Sequence, residues 1–273
     1  MTHARIAAAL SLAVALSGTA CSIEINGDDT IVREERRFPV TGEPDLQVET
    51  FDGSVQVRSW DRSEVLVQIE RHGRDREEAA ALEVTVLQNG NRVRVHAEQP
   101  SKRSGVVLGG SRSVSFIISV PHAARVFVRS GDGAINVDDV TGRIELHSQD
   151  GSIRAARVVG DVIVETGDGS VHVDGQLAVL RTTTQDGSIS VDATAGSTAR
   201  EDWEIGSGDG SITVNVPDRF DADVEARTGD GSISISGIPQ TDDDQRSVRG
   251  RFGRGGHVLK VHSGDGSIRI SRR

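Results

Sequence analysis

The sequence predicts an all-β chain: a single-stranded, right-handed parallel β-helix (β-solenoid) with an 18-residue core repeat. Three observations point there. An Asp-Gly corner followed by Ser or Ala recurs eight times. Around each corner Val, Ile and Leu alternate with polar residues at period two, the pattern of a strand with one buried face. The 273 residues include 31 Gly but only 6 Phe, 2 Trp and no Tyr. A narrow aliphatic core tolerates that composition, whereas a thick core anchored on aromatics does not.

The corner aspartates are Asp52, Asp132, Asp150, Asp168, Asp186, Asp209, Asp230 and Asp265, separated by 80, 18, 18, 18, 23, 21 and 35 residues. The equal gaps set the period, and self-similarity at a fixed period is the signature of a repeat architecture. With the aspartate numbered 7, position 1 is Leu46, Val126, Ile144, Val162, Leu180, Trp203, Val224 and Leu259. Position 3 is mostly aliphatic and position 5 is always Ser or Thr. Position 10 is always Val or Ile, and position 12 is Val, Ile or Ala. The inward set therefore moves from odd to even positions, as a chain turning a corner requires. Gly at position 8 is expected to supply a positive φ, and Asp at position 7 an Asx-type turn. The hydroxyls at position 5 are expected to serve backbone groups just inside the corner. An antiparallel meander with a hairpin at each Asp-Gly satisfies the same alternation. One corner and one looser return per 18 residues suit a coil better, with like residues stacked about 4.8 Å apart in a rod of roughly 40–55 Å.

From the N-terminus, residues 1–20 read as a signal peptide. Arg5 precedes the eleven-residue apolar run Ile6–Leu16, then the small residues Ser17, Gly18, Thr19 and Ala20. Such a run is too short to cross a bilayer, which takes about 20 residues. The only cysteine, Cys21, follows at once. This resembles a bacterial lipoprotein signal, in which the cysteine becomes the lipidated N-terminus, although Gly18 stands where Leu is usual. The plainer reading is an ordinary secretory signal cut after Ala20, leaving a free thiol. Ser22 lacks the Asp that retains many Gram-negative lipoproteins in the inner membrane, so the outer membrane is the expected destination in such a bacterium. Residues 21–37 read as the lipidated N-terminus and a polar tether, and 38–273 as the solenoid domain.

Between Asp52 and Asp132 the motif is absent but alternation persists, as in Val65-x-Val67-x-Ile69 and Phe116-x-Ile118-x-Val120. Arg76 to Leu82 is expected to hold one or two helical turns. Pro100 to Ser113 and Gln240 to Gly256 read as polar loops.

The Gly-Asp-Gly-Ser-Ile-x-Val corners resemble those of a bacterial "putative adhesin" family of unknown function. So do Phe38-Pro39-Val40, Gly53-Ser54-Val55-Gln56-Val57 with Trp60-Asp61, Val120-Pro121, and the close from Leu259 to Ile270. That family is grouped with a "toastrack" class linked to envelope-stress systems. The resemblance covers roughly residues 38 to 273. It implies an exported β-helix and brings no catalytic residues.

The residues themselves exclude more than they assign. With 41 acidic and 31 basic residues the net charge is -10, which repels a phosphate backbone and argues against nucleic-acid binding. A single cysteine allows no intrachain disulfide and no cysteine metal cage. A solenoid stacks Asp132, Asp150, Asp168 and Asp186 in a column where neighbours repel by about 1 kcal/mol in water. Calcium favours such carboxylates, but one Asp-Gly per 18 residues is sparser than the calcium-binding nonapeptide repeat, and solvated turn carboxylates are the simpler reading. His147 and His262 fall at outward position 4 and His172 at outward position 11. None sits in a metal-binding or catalytic motif. Arg246, Arg249, Arg251 and Arg254 mark the last loop as a solvated basic segment, with an anionic polymer or lipid headgroup as its other reading. β-Helices also host polysaccharide lyases and hydrolases, which need paired carboxylates or a base at a groove; here the repeated Asp is better explained as a corner. The sequence thus points to a non-catalytic envelope lipoprotein without cofactor or metal, anchored through lipid on Cys21. It is expected to present a solenoid for adhesion or for binding an envelope protein or glycan. The alternative is a structural or envelope-stress sensing role through a protein partner.

Overall fold

The computed structural model describes residues 20–26, 29–98, 112–237 and 246–273. The expected signal over 1–20 therefore lies almost wholly outside the described residues. The fold is all-β. In chain order the elements are β1 (Ala20–Asn26), β2 (Asp29–Pro39), β3 (Asp45–Thr50), β4 (Val55–Trp60), β5 (Glu64–Gly73), α1 (Arg76–Ala80), β6 (Val84–Asn89), β7 (Arg92–Ala97) and β8 (Ser113–Pro121). Next come β9 (Arg125–Ser130), β10 (Ile135–Asp138), β11 (Thr141–Ser148), β12 (Ile153–Thr166), β13 (Val171–Thr184), β14 (Ile189–Ala193), β15 (Trp203–Ser207) and β16 (Ile212–Val216). The last are β17 (Ala222–Thr228), β18 (Ile233–Ile235), β19 (Ser247–Phe252), β20 (Val258–Ser263) and β21 (Ile268–Arg272).

The strands form two ladders joined through the Asp-Gly corners. Strands before a corner stack as β7, β3, β9, β11, β12, β13, β15, β20 and β17, all parallel. Strands after a corner stack as β8, β4, β10, β12, β13, β14, β16, β21 and β18, again all parallel. The long strands β12 and β13 serve both ladders, so their return is itself extended. Register follows the repeat: Leu46, Val126, Ile144, Val162 and Leu180 are successive partners. Every position 1, 3, 10 and 12 residue is buried. Each repeat thus sets aliphatic side chains on aliphatic side chains, and burial of that surface is what holds the stack together. The return contributes a further inward set, Val140, Val158 and Leu177, which the corner-centred alignment missed. The left-handed φ values of Asp139, Arg157 and Gly160 bend the chain there.

The hydroxyls at position 5 do what the sequence suggested. Thr184 Oγ1 accepts from the amide of Gly187 in its own corner and donates to the carbonyl of Gly169 in the neighbouring one. Ser207, Ser263 and Thr228 repeat the same pair of bonds. Corner glycine has a different cause from the one expected. Among the position 8 glycines only Gly53 has a positive φ. A Cβ at Gly169 would lie 2.2 Å from the carbonyl oxygen of Gly151, and one at Gly187 would lie 2.0 Å from that of Gly169. Glycine is required because the next coil's backbone passes where a side chain would stand.

Two expectations need correction. First, the sheet is mixed rather than purely parallel. Antiparallel strands β1, β2 and β5 extend the β8 edge, β6 pairs with β7, and β19 pairs with β17. They close the ends of the stack, and their antiparallel pairing ends the parallel ladders there. α1 forms as expected, with Asp75 capping it by accepting from the Glu78 amide. Second, residues 21–37 are not all tether, because Thr30–Pro39 pairs along the whole of β5. Its period-two signal was hidden because both faces carry charge. One face bears Arg33, Glu35 and Arg37; the other turns Glu34 and Arg36 toward the end of the core. There Arg71, in β5, donates to Glu34 at 2.8 Å and to the carbonyl of Leu82 at 3.0 Å. Burial pushes the Glu34 carboxyl up, but the bonds from Arg71 and Arg36 outweigh it and hold it below the usual range.

Candidate functional site

In the ladder before the corners, positions 3 and 5 point inward, so position 4 points outward. In-register stacking lines up Arg129, His147, Glu165 and Thr183 on neighbouring strands. Position 6 adds Phe51, Gln149 and Gln185 beside this row, and the corners add Asp150 and Asp168. Together they line a groove of about 910 Å³ that runs across several coils.

His147 stands at the centre of the groove. Its Nε2 lies 3.1 Å from Glu145 Oε1 and its Nδ1 lies 3.1 Å from Glu165 Oε2. Its ring packs 5.6 Å from that of Phe127, over which the Arg129 guanidinium sits at 5.8 Å. His147 therefore faces outward as expected, but it is held rather than free, with a side chain 19% exposed. The repeat alignment could have found this group, because Glu145 and His147 share one face of one strand and Glu165 is the in-register partner of His147. The arrangement fixes donors and acceptors on a rigid sheet, as recognition of sugar hydroxyls or an extended peptide needs.

A second outer face follows the corners. Ser152, Ser170, Ser188 and Ser211 stack beside Arg154 and His172 around a hollow of about 510 Å³. His262 borders a smaller hollow of about 330 Å³ over Gly206. Of the corner aspartates, seven are exposed and Asp52 is half-buried. Among the described residues no group of three or more His, Cys, Asp or Glu side chains is placed to hold a metal ion.

The arginines of the last loop are answered within the chain. Arg249 reaches Glu225 at 3.1 Å, Arg251 reaches Asp223 at 2.8 Å, Arg254 reaches Asp221 at 2.9 Å and Arg246 reaches Asp230 at 3.3 Å. The Arg254 amide and guanidinium hold the Asp221 carboxyl below its ordinary range, and the Arg251 guanidinium does the same for Asp223. At the other end, bonds from Arg74 and Arg112 bring the Glu78 carboxyl down to about 2. Cys21 falls in β1, and among the described residues no helix is long and apolar enough to cross a membrane.

The family model described as Toastrack DUF4097 matches residues 44–271. None of the curated proteins matches the chain. Among solved structures, a "putative cell adhesion protein" of Clostridium sporogenes is similar at 12% identity and a TM-score of 0.38, covering 94% of this chain and 100% of that one. A "putative lipid binding protein" of Parabacteroides distasonis is similar at 14% identity and a TM-score of 0.44, covering 90% of this chain and 97% of that one. A "putative adhesin" of Parabacteroides merdae is similar at 10% identity, with the same TM-score and coverage. Likeness at this level carries no argument about what the chain binds.

Proposed function

The chain belongs to the Toastrack DUF4097 family, and from that premise we propose that it is a non-catalytic lipoprotein of the cell envelope whose outer β face binds a glycan or protein in adhesion. The groove across the Arg129, His147 and Glu165 row carries this reading. It is long and polar, it crosses several coils, and its side chains stand in fixed rows on paired strands. We read the two parallel ladders as a right-handed β-solenoid, the hand that parallel crossover connections take. The apolar run before Cys21 supports export and lipidation at that cysteine. Several acyl chains there give stable anchoring where one is marginal. In a Gram-negative cell the outer membrane is the proposed location.

The test pairs the anchor with the groove. Metabolic labelling with a fatty acid is expected to mark the wild-type chain and not Cys21→Ala, and Cys21→Ala is expected to leave the membrane fraction. A purified chain from residue 22 onward is then presented to glycan arrays and to whole cells. Arg129→Ala with Glu165→Ala is expected to abolish binding, whereas Ser190→Ala on the face after the corners leaves it unchanged. Binding indifferent to the groove pair overturns the site. Absence of glycan and cell binding, together with recovery of one defined membrane protein, replaces adhesion with the sensor role.

A further inference from the structure

The stack is not built in the order of the sequence. The coil of β15 and β16, with its corner at Asp209, does not pair with the coil of β17 and β18, whose corner is Asp230. Between them lies the coil of β20 and β21, with its corner at Asp265. The chain therefore lays down one coil, leaves a one-coil slot, lays down the next, turns back through β19, and fills the slot afterwards.

The slot is bonded on both walls. On one side Trp203 partners Leu259 and Ile212 partners Ile268. On the other, Val224 partners the same Leu259 and Ile233 the same Ile268. The hydroxyl bridges continue through it: Ser263 Oγ donates to the Gly210 carbonyl, and Thr228 Oγ1 to that of Gly266. The inserted segment buries Leu259, Val261, Ile268 and Ile270. Its link from β19 is Gly253-Arg254-Gly255-Gly256, where all three glycines have positive φ, at 56°, 76° and 142°. Such a link changes direction at little steric cost.

We propose that residues 257–273 are an exchangeable coil, and that a second copy of this chain supplies the same coil to the slot, giving a reciprocal coil-exchanged dimer. The occupant is a second copy because the only sequence seen to complement both walls of the slot is this chain's own. Exchange re-forms the same ladder bonds and the same buried contacts, so it costs little beyond association and the opening of the link. The walls also favour exchange over an empty slot, since an unfilled slot leaves two rows of strand amides and carbonyls without partners.

The test uses Ser232 and Ser267, whose hydroxyls lie 3.3 Å apart across the β18–β21 pair. In a Cys21→Ala background, Ser232→Cys chains are mixed with Ser267→Cys chains, unfolded in denaturant, refolded together and oxidised. The two cysteines meet only when β21 of one copy lies beside β18 of the other. The control mixes Ser170→Cys with Ser188→Cys, which lie on neighbouring coils away from the slot. The expected result is a disulfide-linked heterodimer several-fold above the control, rising with protein concentration, with a melting transition no lower than that of the uncrosslinked chain. Heterodimer at the control level, from chains that melt normally, overturns the proposal. So does linkage that yields a dimer with a markedly lowered melting transition, because exchange re-forms every ladder bond and buried contact of the coil outside the link.

Discussion

A methyl group at Gly169 has nowhere to go, because the Gly151 carbonyl oxygen occupies its place at 2.2 Å. Gly169→Ala is therefore expected to destabilise the chain by about 1–3 kcal/mol, the usual cost of forcing atoms into a packed interior. Gly206→Ala is the comparison. Its Cβ would meet only the Thr183 methyl at 3.8 Å, and thermal melting is expected to show little change. Equal melting of the two variants would mean that the corner backbone can shift to make room. The pair separates a glycine that a neighbouring backbone requires from one that it does not. The sequence marks position 8 as glycine in every repeat, but φ and contact are alternative causes, and only the neighbouring coil's position tells them apart.

Among the elements, β2 shows why some structure was not legible. Alternation of apolar with polar residues betrays a strand only when one face is apolar. In β2 the inward face carries Glu34 and Arg36, so the strand looked like a tether, and its partner Arg71 lies 37 residues away. The repeat strands were legible for the opposite reason, since Ile144, Val162 and Leu180 show the same buried face again and again. The groove was half legible. Position 4 is outward, as alternation predicts, but the contact of His147 with Glu165 depends on which coils are neighbours. Arg71→Met is expected to cost about 3 kcal/mol, because Glu34 then stays buried with a weakened partner set, and adding Glu34→Leu is expected to restore most of the loss. Denaturant titration measures both. The sign with pH follows from the lowered Glu34 carboxyl. Its contribution is full above the ordinary value of 4.5 and fades as acid protonates it. The double variant is expected to lose that part of the acid slope. Failure of Glu34→Leu to rescue would show that Arg71 acts through the Leu82 carbonyl instead.

At the scale of the whole molecule, the repeat puts one carboxylate on every corner, so one edge of the stack carries a row of like charges about 4.8 Å apart. In water two unit charges interact with energy RT at about 7 Å, since 332/(80 × 0.59) is near that value. The row is more closely spaced than this, which makes the edge a short polyelectrolyte. Its field gathers a condensed layer of counterions whatever their chemistry, as the backbone of a nucleic acid does. The melting temperature is expected to rise with sodium chloride at neutral pH, and magnesium chloride and calcium chloride at the same concentration are expected to raise it equally. A calcium effect larger than that of magnesium would instead mean a bound ion at the corners. In the sodium case the edge acts as a gauge of the ionic atmosphere: a fold specified by aliphatic rows would have its tightness set by the salt of the compartment around it.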